Sequence, residues 1–416
     1  VTRNENGEER RAEATAMLAT SLHLNRNMSR ANPALELAAT RLRAAGLTER
    51  ARRMDIRRVE GLAEVGDTPL DELVDRLSAI KEECRRAPDW QGVALCLDAE
   101  VQLLQLAERL DDVLALHSQF ARVISLGSRQ AVAIAHQGLA VALLNEDAEA
   151  ALRSARIAVS LAKNTSYNER LKTLNRLLIV LLHLGTLHSG ENRHLLREAE
   201  KLSERCGDLL QRFSLASNIG VAHMDAGHLD QAETHFDRAE AMLGNADMTF
   251  PRINLAINRG ELAIARQEYH EASAHFASAG RHDGLTIPRY TERMVTAGLG
   301  TCALQMGRMA EARRLFEGLP DPPSTWYYDP TPLLDFQSRY LERRGDLRAA
   351  IQTLELAQDD LEGRLVAAWI KTQLGLVRLL RKAGDPRARC EAVRGVEATR
   401  QLSMRARERE FQLLLD

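Results

Sequence analysis

Residues 224–240 read MDAGHLDQAETHFDRAE. The stretch closes one helical pattern, turns at Gly227 and opens a second pattern with apolar residues at Leu229, Ala232, Phe236 and Ala239, the three-to-four spacing of one helix face. Its skeleton recurs downstream. GRMAEARRLFEGL begins at Gly307 and GDLRAAIQTLELA at Gly345, each with Ala five residues after the Gly, and QEYHEASAHFASAG at 267–280 supplies another copy. Aligned, the copies place Ala232, Ala272, Ala312 and Ala350 at spacings of 40, 40 and 38 residues, followed four residues later by Phe236, Phe276, Phe316 and Leu354. A helix pair repeated at a fixed period in this range marks a solenoid.

Small residues also hold fixed places around each copy. Gly220, Gly260, Gly300 and Ser338 stand twelve residues before the alanines, and Ala239, Ala279, Leu319 and Ala357 seven after them. Small side chains at the first and second of these places let two antiparallel helices cross closely, and the Phe236 position fills the space between one pair and the next. Gly227, Gly307 and Gly345 supply the left-handed residue that ends each first helix. The combined pattern is similar to the tetratricopeptide repeat. That resemblance implies an all-α, right-handed superhelical solenoid whose first helices line an inner groove, and it specifies a binding surface rather than a ligand.

The period near 40 is longer than the 34 residues of the standard repeat. Long, degenerate repeats of this kind resemble the superhelices attached to bacterial signal-transduction ATPases and to large transcriptional activators of the maltose-activator and antibiotic-regulator type, most clearly over residues 199–242. The periodicity continues upstream, with Gly138, Ala150, Ser154 and Ile157 in one frame, Leu195, Ala199 and Leu202 in another, and Gly46 with Ala51 at the usual offset. About nine helix pairs of ~40 residues then account for nearly the whole chain. The expected organisation is degenerate N-terminal repeats over 1–126, central repeats over 127–319, a loop at 320–332, and C-terminal repeats with capping helices over 333–416. A start on Val1 rather than Met suggests part of a longer protein.

Composition agrees with stacked amphipathic helices. Of 416 residues 45% are hydrophobic but only 4% aromatic, so Ala and Leu carry the apolar surface. With 56 basic against 58 acidic residues the net charge is −2, and no global field favours nucleic acid or an anionic membrane. The five cysteines, Cys84, Cys96, Cys206, Cys302 and Cys390, form no CxxC pair and read as reduced thiols of a cytoplasmic protein. No apolar run reaches the ~18 residues that span a bilayer.

Catalytic signatures are missing. GxxxxGK[ST], GxGxxG and GxSxG do not occur, so no phosphate loop, dinucleotide site or nucleophile elbow is expected. HEASAH at 270–275 places its histidines five residues apart, about 140° around a helix, unlike the single-turn spacing of a zinc protease. No enzyme activity, cofactor or metal is expected.

The candidate partner-binding residues follow from the repeat geometry. Asn218 and Asn258 stand two residues before Gly220 and Gly260, as a ladder of amides holding an extended backbone would require. His223, Arg259 and Glu261 share the same first helices and are expected at the groove or its rim. A second candidate is the Trp326, Tyr327 and Tyr328 cluster inside the proline-rich stretch LPDPPSTWYYDPTP, where aromatics offer contact area at small entropic cost. The basic run of Arg41, Arg43, Arg50, Arg52, Arg53, Arg57 and Arg58 reads as a solvated helix face or a dock for an acidic partner, without the interleaved aromatics of a single-strand binder. The expected function is a regulatory sensor or interaction module of a bacterial signalling or transcription-control protein, taking a protein segment, peptide or small effector. The alternative is a free-standing adaptor that assembles other proteins. Oligomeric state is left open.

Overall fold

Among the described residues helix follows helix, most of them joined by short turns. The computed structural model describes residues 2–415 apart from 145, 188, 191, 245, 282–287, 320–328 and 403, with backbone alone for 2–6. Within these residues the N-terminal half holds α1 (Thr2–Leu24) with α2 (Met28–Ala44), α3 (Thr48–Val65) with α4 (Leu70–Arg86), and α5 (Trp90–Leu106) with α6 (Leu110–Ala115) and α7 (His117–Leu126), the last two being one rod broken at Leu116. Next come α8 (Arg129–Ala142) with α9 (Ala148–Ala162), and α10 (Tyr167–His183) with α11 (Arg193–Ser203). The four signature pairs are α12 (Leu209–Asp225) with α13 (Leu229–Leu243), α14 (Thr249–Ala265) with α15 (Tyr269–Ala279), α16 (Arg289–Gln305) with α17 (Met309–Glu317), and α18 (Thr331–Arg343) with α19 (Leu347–Leu361). The chain ends with α20 (Val366–Ala383), α21 (Arg387–Gln401) and α22 (Arg405–Gln412). The described residues therefore form ten pairs and a terminal helix, one pair more than the sequence count, because the offset of Gly46 and Ala51 reads α3 as a second helix, whereas α3 opens the pair with α4 and packs on the first helices α5 and α14.

The small residues work by letting phenyl rings reach the backbone. A Cβ placed on Gly220 would lie 2.5 Å from the Phe236 ring, and one on Gly260 2.7 Å from that of Phe276. Gly298, on the first helix of the following pair, would approach the same Phe276 ring to 2.4 Å. Phe276 is thus held between two glycine notches, one in its own pair and one in the next. Gly395 and Phe411 repeat the sixteen-residue relation in α21 and α22, at 2.3 Å, a copy the sequence reading left unassigned. In the third signature copy the ring in the Gly300 notch is Phe336 of α18 rather than Phe316. Phe316, on the nine-residue α17, instead stacks on Tyr340 at 4.4 Å.

Turn chemistry follows the same logic. Gly227, Gly307 and Gly345 have φ of 81°, 75° and 86°, where a side chain is strained. The copy without a turn glycine places Gln267 there at φ 65°. One upstream frame needs correction. Ala151, Ala155 and Ala158 are buried in α9 while Ile157 is 42% exposed, so the packed face lies one residue beyond the frame of Ala150, Ser154 and Ile157. The α8–α9 connection is longer by one residue than a strict copy of the signature pairs would make it.

The solenoid winds tightly enough for its turns to touch. α3 packs on α14 and α10 on α20, in each case five pairs apart. The polar contacts keep the same interval. Arg26, between α1 and α2, pairs with Asp208 at the N-terminus of α12 at 2.8 Å, as well as with Glu64 at 2.5 Å. Arg293 of α16 grips Glu108 after α5 through two hydrogen bonds of 2.6 and 2.7 Å. A superhelical turn thus takes about five pairs, and charged groups buried along the axis join one turn to the next.

Candidate functional site: an axial cavity

First helices face the superhelix axis, since the contacts between turns, α3 with α14 and α10 with α20, are made by first helices alone. Between them lies a cavity of about 340 Å³, lined by residues of α10, α12, α14, α16 and α20 together with Leu106 and Asp329. Its wall is mainly apolar, with Ile179, Leu182, Phe213, Phe250, Ile257 and Leu365 among the lining side chains. Ser214, Ser217, Asn218, Asn254, Asn258 and Thr291 add neutral polar groups. His183, Asp225 and Asp329 are the titratable groups of known charge type at its surface, besides the Tyr290 phenol.

Of the sequence-predicted residues, Asn218 and Asn258 line this cavity. Asn258 donates to Ser217 Oγ at 3.2 Å, linking adjacent first helices. Among the described residues the Asn218 amide has no hydrogen-bond partner within the chain. A further amide, Asn175 of α10, is buried and donates to the Gln211 carbonyl at 2.8 Å, one pair earlier. The other candidates sit elsewhere. His223 turns toward the second helix of its pair, stacking on His235 at 5.4 Å and lying 5.9 Å from His228. Arg259 reaches α13 and pairs with Asp237 and Glu240 at 2.7 and 2.5 Å. Trp326, Tyr327 and Tyr328 lie outside the described residues.

Glu261 lies beside a charged cluster that sequence reasoning did not find. Lys371 of α20 forms ion pairs with Asp225 at 2.6 Å and Asp329 at 2.7 Å. Burial opposes its charge, but the two carboxylates outweigh burial and raise its pKa. Asp329, despite burial, is held below the ordinary carboxylate range by Lys371 and by hydrogen bonds from Thr331. Glu261 goes the other way. Burial, with Asp329, Asp335 and Asp225 nearby and only partial relief from Lys371, pushes it up to about 8. Its Oε1 is buried without a hydrogen-bond partner. The His183 imidazole is lowered by burial, so it stays neutral at pH 7.

The raised Glu261 gives a signed pH prediction. A carboxyl with a folded pKa near 8 and an ordinary value of 4.5 contributes no penalty below 4.5, and stability falls as pH rises from there through 8. Glu261→Gln removes that titration. In chemical denaturation the variant should match the wild type near pH 4.5 and become progressively more stable than it up to pH 9, by on the order of a few kcal/mol. A difference that does not change with pH would refute the assignment.

Most arginines of the basic run in the N-terminal pairs are engaged by acids of the chain itself. Arg53 and Arg52 meet Asp89 at 2.7 and 3.4 Å, Arg58 meets Glu36 at 2.9 Å, and Arg43 and Arg50 pair with Asp55 and Glu13. Arg57 and Arg41 donate to the Thr20 and Thr15 hydroxyls. These partners come from neighbouring helices, so the run cross-links the first pairs. Nor is any described helix long and apolar enough to cross a membrane.

No protein-family profile and no curated protein matches the chain. Solved structures do. A Rap protein complexed with competence and sporulation factor superposes with a TM-score of 0.62 at 13% identity, covering 85% of this chain and 98% of that one. Yeast Tom70 and a circular tandem repeat protein also match over 98% and 97% of this chain, each at 13% identity, with TM-scores of 0.36 and 0.17. The similarity to the Rap protein supports the fold reached from the repeat, a tetratricopeptide-like helical solenoid.

Proposed function

We propose that the chain is a non-catalytic regulatory sensor of a bacterial signalling or transcription-control protein, working in the cytoplasm and taking a short peptide, an extended protein segment or a small effector into the axial cavity. The observation that carries this reading is the placement of Asn218 and Asn258, one repeat apart on consecutive first helices, at the wall of the same apolar cavity. Paired amides can donate to and accept from a peptide backbone, while the apolar wall accepts its side chains. The volume suits a small ligand or a few residues of chain, not a folded domain. The Rap structure, which shares the fold, holds competence and sporulation factor, and this favours a sensor over a free-standing adaptor.

The test is selection from a library of short capped peptides against the purified chain, followed by titration of the selected sequences. Changing Asn218 and Asn258 together to Ala should weaken them by more than about tenfold, equivalent to ~1.4 kcal/mol, with the melting temperature changed by a few degrees at most. Unchanged binding with lowered stability would make the two amides structural and remove the basis for the cavity reading.

A further inference from the structure

Asp225, the last residue of α12, is 7% exposed and lines the cavity. Its Oδ1 lies 2.6 Å from Lys371 Nζ, and among the described residues that lysine is the one side-chain donor to the Asp225 carboxylate. Asp329, on the opposite side of the lysine, is differently placed. Its Oδ2 accepts from Lys371 at 2.7 Å and its Oδ1 from the Thr331 N–H at 2.9 Å and from the Thr331 hydroxyl. One carboxylate is therefore saturated and the other, buried at the cavity wall, is under-supplied with donors. Buried carboxylates normally find such donors.

The surrounding charges do not supply one. Asp335 is engaged by Arg339 at 2.7 Å. Arg407 of α22 pairs with Glu410 at 2.8 Å and reaches only the Asp225 backbone carbonyl, at 3.2 Å. Lys371 itself does not line the cavity, although both of its carboxylates do. Two acids share one lysine, and the excess charge facing the cavity is negative.

We propose that Asp225 is the anchor for a cationic group on the cavity's ligand, an alkylammonium or guanidinium attached to an apolar segment. This deepens the cavity reading above and rests on it. The incoming cation donates to the free lone pairs of Asp225 and competes with Lys371 for that carboxylate, whose other partner Asp329 keeps the lysine. Because Lys371 belongs to α20 and Asp225 to α12, binding at this point also loosens a contact between successive superhelical turns.

Acetyl-Leu-Lys-Leu-amide, its norleucine and glutamate analogues, and n-hexylammonium are suitable probes, titrated calorimetrically against the full chain. The lysyl peptide should bind at least about tenfold more tightly than the norleucine peptide, and the glutamyl peptide most weakly. Asp225→Asn should erase that preference. Lys371→Met, which frees both carboxylates from competition, should enlarge it severalfold, and this arm stands even if the Asp225 variant folds poorly. Tighter binding of n-hexylammonium than of the lysyl peptide would keep the cationic anchor and assign its source to a small amine. Equal binding of the lysyl and norleucine peptides, or a Lys371→Met variant without an enlarged preference, overturns the anchor while the cavity reading stands. Failure of every probe, together with failure of the library selection, overturns both.

Discussion

Phe276→Ala should destabilise the centre of the solenoid by about 3–5 kcal/mol, the cost of deleting a large buried ring that its neighbours cannot replace. Phe276 is fully buried, and the glycine notches at Gly260 and Gly298 that hold it have no side chains with which to fill the space. Rigid helix backbones on both sides prevent collapse of the cavity. In a solenoid the damage passes first to nearest neighbours, so hydrogen exchange should show the largest loss of protection in α14, α15 and α16. The tight winding adds a second destination. α14 also packs on α3, so α3 should lose protection before the more distant α7 or α21. Uniform loss from end to end would contradict a repeat-by-repeat account.

Glu108→Gln should also cost about 3–5 kcal/mol, for a different reason. The Arg293 guanidinium is only 4% exposed, and the substitution keeps the shape of its bidentate partner while deleting the charge. An ion buried in this way is strongly destabilising once its counter-charge is lost, even where the intact pair contributes little net stability. The Glu108→Gln, Arg293→Met double variant should therefore recover much of the loss, and denaturant titration of the four proteins measures the coupling. Additive losses in that cycle would show that the two groups do not act as a pair. The contact joins residues 185 apart in sequence, so the single variant should also expand the superhelix, a change that small-angle scattering would register.

Much of the architecture is written locally. Spacings of 40, 40 and 38 between Ala232, Ala272, Ala312 and Ala350 state how often helix pairs recur, because crossing helices need a small residue at the same place in every pair. The turn glycines mark helix ends for an equally local reason, since φ near +80° strains any residue with a Cβ. The Asn218 and Asn258 positions were legible too, as they inherit the inward direction of a first helix from that frame. Where copies diverge the frame misleads. One extra residue between α8 and α9 shifts the buried face off Ile157, and a short α17 gives the Gly300 notch to Phe336.

What tertiary structure alone decided is the relation between pairs four or five apart. Nothing in residues 224–240 announces that Asp225 will meet Lys371, 146 positions later, because the superhelical pitch is the sum of many small packing rotations, each set by side-chain volumes at one interface. The same sum brings Arg26 to Asp208 and Arg293 to Glu108, and it gathers five first helices around one cavity. His223 and Arg259 show the complementary limit. Each lies on a first helix, but a position near the edge of its inward face is settled by the nearest partner, and His235 in one case and Asp237 with Glu240 in the other draw these side chains to the second helix instead. Sequence thus determined the repeating unit, because its rules act over neighbouring turns of helix. The cavity's shape and charge depended on long-range geometry that accumulates over many pairs.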